Sequence, residues 1–312
     1  MPNGPHLIER AAARLAASGA VPGQLSAAPP VPGTIPGGDL GPGTLGAGPL
    51  GATAFTSTQT TPTRPVIAVA LLEKAGLMTD EAGRSRISEE LWLVQRQILR
   101  TAFTAAGSIP ASAELAGAYP NLLMVTSARP GEGKSFTALN LAASIARQGD
   151  HPVLLIDTDV KERSLSHTLG LAEAPGLLDC AGNGTLDPVR LDYPTEVGGL
   201  SVLPIGQGHH TRGSDLLASR HVGRLLNGMA RRQPERLVIL DGAPCLATSD
   251  PAALAPLMGQ ILFVVEAERT QRGHVEAALD LIQDCPAITL VLNKMQQAGG
   301  NAFGAYAPYY TS

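Results

Sequence analysis

LLMVTSARPGEGKS, residues 122–135, runs from an apolar strand into a glycine-bearing loop, and a helical pattern follows over 136–148. Strand, loop and helix start in that order form the context a phosphate-binding loop requires. Gly131 and Gly133 let backbone amides close around phosphate oxygens, and the helix N-terminus adds its partial positive charge. Lys134 reaches β- and γ-phosphates, and the Ser135 hydroxyl is suited to ligate Mg²⁺. The loop opens on Ala128 where such motifs usually have glycine. The expected ATP contacts are Arg129, Pro130, Gly131, Glu132, Gly133, Lys134, Ser135 and Phe136.

Two further strands end in acids. PVLLIDTD (152–159) carries Asp157 and Asp159, and RLVILD (236–241) carries Asp241. An apolar strand needs no acid for folding, whereas an acid at the C-terminal edge of a parallel sheet faces the crevice where ligands bind. Asp157 and Asp159 lie two apart and share a face if the chain stays extended. Both are expected to address Mg²⁺ or an attacking hydroxyl. Asp241, downstream of a phosphate loop, fits the Walker B carboxylate that orients Mg²⁺ or its water shell.

The remaining pattern alternates: a short strand at 200–203, a helix at 215–232, a strand at 261–265, a helix at 270–282 and a strand at 288–292. That last strand ends in Asn293-Lys294, well placed to meet a nucleotide base. Arg269 and Arg272, at the start of the preceding helix, either face phosphate or form a solvated face. Continuous apolar strands alternating with helices predict an α/β, P-loop NTPase-like fold. Its sheet is mostly parallel, with helices on both faces. The stretch 161–199 reads as loop-rich. Upstream, 66–72 is either an edge strand or a short helix. A helix opens at Ser88, with Leu91, Val94, Ile98 and Trp92 at helical spacing, for the core or for another subunit.

The chain has 312 residues and a net charge of −4, which does not suggest nucleic acid as the main partner. Three scattered cysteines argue against a disulfide framework or zinc site, and no apolar run approaches the length of a membrane span. The expectation is a soluble, cytoplasmic protein. Residues 1–62 are Gly/Pro/Ala/Thr-rich and too poor in large side chains to offset ordering entropy, which predicts a disordered region. Within it, 7–17 has the spacing of a short amphipathic helix. Domain limits follow: a helical segment at 63–120, an ATP-binding domain at 121–300 and a tail at 301–312. That tail holds Tyr306, Tyr309 and Tyr310, three of the five tyrosines, in an accessible substrate or docking segment.

Walker A at 127–135, the extra acidic box at 153–159, Walker B at 237–244 and the tyrosine tail together resemble the bacterial tyrosine autokinases of capsule and exopolysaccharide synthesis. Supporting stretches are DLLAS (215–219), ATSD (247–250) and VLNK (291–294). The likeness is greatest to the exosortase-associated branch, whose kinase is a chain separate from its membrane-spanning activator. The resemblance implies that Lys134 and the loop amides hold ATP, while Ser135, Asp157 and Asp241 organise Mg²⁺. Lys134, Asp157 and Asp159 would be catalytic, and the tail tyrosines phosphoacceptors, entering a neighbouring subunit of a homo-oligomer. A polysaccharide chain-length-determinant type membrane protein would be the activator, recruiting the kinase to the inner membrane.

Against the family pattern, Lys161 and Arg163 replace an Arg and a Pro. Walker B reads Asp241-Gly242-Ala243-Pro244 rather than Asp-x-Pro-Pro, and Trp92 and Gln95 stand where the subunit-contact helix carries Arg. Two rival readings stay open. One is a partitioning-type ATPase, which usually has a signature Lys where this chain has Arg129. The other is a non-catalytic ATP-binding regulator of polysaccharide assembly.

Overall fold

The structure is a computed structural model that describes residues 64–78, 86–104, 118–160, 164–182, 186–188, 191–207 and 215–295. The chain divides into residues 1–60 and 61–312, and every described residue lies in the second unit. The expectations for residues 1–62 and for Tyr306, Tyr309 and Tyr310 fall outside the described residues.

The strands are β1 (Tyr119–Ser127), β2 (Val153–Asp157), β3 (Tyr193–Pro194), β4 (Leu200–Leu203), β5 (Leu237–Asp241), β6 (Met258–Glu266) and β7 (Ile288–Asn293). They form one sheet in the order β3-β4-β2-β5-β1-β6-β7. Every pairing is parallel except β3 with β4. This is the mostly parallel α/β sheet that the apolar runs predict.

Strand periodicity divides the core. Met124, Ile156, Leu240 and Phe263 point to one face, where they meet α5 (Leu177–Gly182), α6 (Arg220–Arg232) and α8 (Arg272–Leu281). Val125, Leu155, Ile239 and Leu262 point to the other, under α3 (Lys134–Gln148), α1 (Val69–Lys74) and α2 (Arg86–Leu99). Both faces are covered along β1, β2, β5 and β6, so those strands read as continuous apolar runs rather than alternating ones, whereas β7 leaves Leu290 and Leu292 exposed. Two polar residues within the strands are satisfied. Asn121 donates to the carbonyls of Ala230 and Arg236, and Gln260 to those of Pro120 and Ile98.

Several boundaries differ from the sequence reading. At 66–72 both alternatives occur in succession: Ile67 bridges Thr195 beside β3, and α1 follows. α2 begins at Arg86 rather than Ser88, and a π-helical turn, Arg100–Thr104, continues it. Its Val94, Gln95 and Ile98 turn inward, while Trp92 and Leu93 are exposed. The helix expected at 215–232 is interrupted at Ser219, whose hydroxyl accepts the Val222 amide as the N-cap of α6. The stretch read as loop contains α4 (Leu165–Thr168), α5 and β3. A short helix, α7 (Asp250–Leu254), also precedes β6.

Among the described residues, no helix is long and apolar enough to cross a membrane. Cys180, Cys245 and Cys285 are buried and unpaired.

Candidate active site

Sheet register assembles the site. Val125 near the end of β1 pairs with Asp241 at the end of β5, and Asp241 in turn pairs with Asp157 at the end of β2. The loop leaving β1 therefore rises beside two strand-end acids before entering α3. Gly131 (φ 86°) and Gly133 (φ 97°) take the left-handed conformations that bend the loop. A Cβ on Gly133 would also collide with Asn293 Nδ2.

Lys134, the first residue of α3, is 9% exposed. Its Nζ donates to Asp159 Oδ2 at 2.8 Å and to Ser135 Oγ at 3.1 Å, and it lies 3.7 Å from Asp241 Oδ1. Burial opposes its charge, but Asp241, Asp159 and Asp157 together outweigh burial and raise its pKa. At neutral pH it is a fixed cation at the helix N-terminus, suited to polyphosphate.

The acids differ in what they have left to offer. Asp159 keeps Oδ1 without a hydrogen-bond partner, and neither oxygen of Asp241 has one. Burial pushes the Asp241 carboxyl up to about 7, although Lys134 and the nearby Ser135 hydroxyl pull the other way. Asp157 is spoken for. It accepts from the Ser166 amide at 2.7 Å, the Ser166 hydroxyl at 2.5 Å and the Asp159 amide at 3.1 Å. Burial raises its pKa against those bonds. Asp157 and Asp159 were expected to share a face. Instead the chain leaves β2 after Asp157, which pins α4, while Asp159 turns to Lys134.

The other expected contacts also separate. The Arg129 side chain, Pro130 and Gly131 are exposed at the loop, whereas Glu132 is 2% exposed and accepts the Arg129 amide at 2.7 Å. Phe136 lies half-buried toward the turn at Gly76, since a Cβ there would come within 3.3 Å of its ring. Asn293 Nδ2 donates to the Glu132 carbonyl at 2.9 Å, so its amide braces the loop. Arg269 and Arg272 make local ion pairs with Glu266 and Glu276 on the surface.

Buried carboxylate oxygens without partners suit a cation, so the donor set fits Mg²⁺ at Asp241 with the Ser135 hydroxyl beside it. Among the described residues, no group of three or more His, Cys, Asp or Glu side chains is arranged to hold a metal. An ion here would complete its shell with phosphate oxygens and water.

No protein-family model matches the chain. A Ralstonia solanacearum protein named for a tyrosine-protein kinase, EpsB, is 37% identical over 164 residues, covering 52% of this chain and 21% of that protein. Tyrosine-protein kinase CpsD of Streptococcus agalactiae is 27% identical over 65% of this chain and 87% of its own length. The chain's homologues are bacterial tyrosine-protein kinases. Among solved structures, the kinase domain of Escherichia coli tyrosine kinase ETK superposes with a TM-score of 0.52. It is 26% identical, over 69% of this chain and 80% of that domain. The VpsO kinase domain gives a TM-score of 0.50 at 28% identity, covering 66% of this chain and 99% of that one. The succinoglycan biosynthesis transport protein ExoP of Rhizobium meliloti is 33% identical over 62% of this chain. The chain spans only about a fifth to a quarter of the length of the longer relatives, EpsB and ExoP. What those tyrosine kinases share with this chain is the P-loop α/β domain.

Sequence reasoning missed Ser166 and Thr270. Ser166 lies in the stretch read as loop, and its bond to Asp157 spans nine residues without a spacing signal. Thr270 meets Glu132 across the fold.

Proposed function

We propose that the chain is an ATP-dependent protein-tyrosine kinase that phosphorylates its own C-terminal tail. The observation that carries this is the placement of Lys134 between Asp159 and Asp241, two acids that retain unpartnered oxygens beside a phosphate loop. Lys134 and the loop amides would bind the β- and γ-phosphates. Ser135 and Asp241 would hold Mg²⁺, which supplies charge neutralisation on the phosphate oxygens when bound.

Asp159 Oδ1 is the free acceptor for a tyrosine hydroxyl proton. As that hydroxyl oxygen bonds to the γ-phosphorus, the bond from phosphorus to the β-bridging oxygen breaks. The proton passes to Asp159, and ADP leaves. A phenol with a pKa near 10 gains from such a neighbour. Asp157 acts at one remove, by fixing α4 beside the acids. Tyr306, Tyr309 and Tyr310 are the proposed acceptors, presented by one subunit to another.

The Rhizobium relative's name as a succinoglycan transport protein supports a role in polysaccharide assembly. We propose that the chain acts at the cytoplasmic face of the inner membrane, with a chain-length-determinant type membrane protein as activator. The test is incubation of the full chain with Mg²⁺ and γ-labelled ATP, alone and after co-expression with a chain-length-determinant type membrane protein. Label on the chain that disappears in Lys134→Ala is the expected result. Label released only as free phosphate would instead indicate a partitioning-type ATPase, and ATP binding with neither reaction a regulator.

A further inference from the structure

The phosphate loop is tied to the outer strands of the sheet by two side chains with no assigned role. The first tie runs through Glu132, which is buried although Arg129, Pro130 and Gly131 beside it are exposed. One carboxylate oxygen accepts the Arg129 amide, and the other accepts the hydroxyl of Thr270, in the turn between β6 and α8. With both oxygens engaged, the Glu132 carboxylate is fixed in place beneath the loop rather than free to swing.

The second tie comes from Lys294, the residue after β7. Its Nζ donates to the Gly131 carbonyl at 2.5 Å and lies 3.5 Å from Glu266. Lys294 has φ 59°, a left-handed conformation that costs a side-chain-bearing residue energy and so needs its surroundings to sustain it.

A loop that must aim several amides at one phosphate loses freedom on binding. Contacts made beforehand reduce that loss. We propose that Thr270 and Lys294 are positioning residues that hold the phosphate loop ready for nucleotide. Thr270 acts through Glu132 and Lys294 through the Gly131 carbonyl; the proposal rests on the ATP-binding reading of this loop. Neither residue needs to touch the nucleotide.

The test titrates the full chain with a fluorescent ATP analogue and Mg²⁺, comparing wild type with Thr270→Val, Thr270→Ser, Lys294→Met and Lys294→Arg. Losing one such bond is expected to raise the Kd in the Val and Met variants by about three- to tenfold. Melting temperature without nucleotide should stay close to wild type in Lys294→Met and fall by no more than a few degrees in Thr270→Val, which leaves one oxygen of the buried Glu132 unmatched. The Ser and Arg variants should recover most of the affinity. Wild-type affinity in the Val and Met variants would overturn the proposal. So would a loss that merely follows a fall in melting temperature, or one that Ser and Arg fail to restore. A wild-type chain that binds no nucleotide would overturn the ATP-binding reading itself, and this proposal with it.

Discussion

At Asp241, folding and ligand binding make opposite demands. A carboxylate taken out of water without a hydrogen-bond partner costs stability, and burial raises its pKa to about 7 from an ordinary 3.8. The folded state therefore holds a proton that the unfolded chain releases between those values, so this contribution to stability falls as pH rises from about 4 to about 7. Asp241→Asn should stabilise the nucleotide- and Mg²⁺-free protein more at pH 8 than at pH 5. The difference is roughly 2–3 kcal/mol, or about 5–10 °C in melting temperature. Melting curves of both proteins across that range check it, and parallel curves would contradict it.

The neighbouring acids should separate in the opposite sense. Asp157→Ala leaves the Ser166 amide and hydroxyl unmatched and should cost about 1–3 kcal/mol of stability. Asp159→Asn keeps a hydrogen-bond acceptor for Lys134 but removes the charge of the pair, so it should lose some stability. Its larger effect should be a loss of about 100-fold or more in phosphoryl transfer. Denaturation and transfer rates on the two variants test that division. From sequence, the two acids looked equivalent because spacing along a strand was the only guide. The turn after β2 that separates them depends on Ser166, in a stretch whose composition reads as loop.

Among elements, the strands were the most legible. Val153–Asp157 and Leu237–Asp241 are apolar because both sheet faces are covered, and that burial is written directly into residue type. Element ends depend on individual caps, which periodicity does not register. Ser219 interrupts an otherwise continuous helical pattern because its hydroxyl takes the Val222 amide. The two-residue β3 is too short for any period to show.

The segment around α1 illustrates a longer-range contact. Asn140 on α3 accepts the Met78 amide at 2.8 Å and donates to the Gly76 carbonyl at 2.9 Å, attaching residues 76–78 to the helix that begins at Lys134. Asn140→Ala should lower stability by about 1–3 kcal/mol and speed hydrogen exchange at the Met78 amide. Unchanged exchange there would show that Leu72 and Leu77, buried in the core, suffice to hold the segment.

For the whole molecule, the sheet order brings the ends of β1, β5 and β2 together, so that residues 134, 159 and 241 meet at one edge. The P-loop spacing and the strand-end acids made that meeting legible in the sequence. The ties from Thr270 and Lys294 were not legible, because nothing along the chain marks which distant hydroxyl or ammonium will reach a loop. A loop braced at the sheet edge, a fixed cation and an unpartnered oxygen on Asp159 are the parts that the proposed transfer of phosphate onto a hydroxyl requires.

The most direct measurement is mass spectrometry of the full chain after incubation with Mg²⁺ and ATP, following co-expression with a chain-length-determinant type membrane protein, beside Asp159→Asn. The account predicts phosphate on Tyr306, Tyr309 or Tyr310 of the wild type and almost none on the variant. An unmodified tail in the wild type, with nucleotide bound, would contradict it.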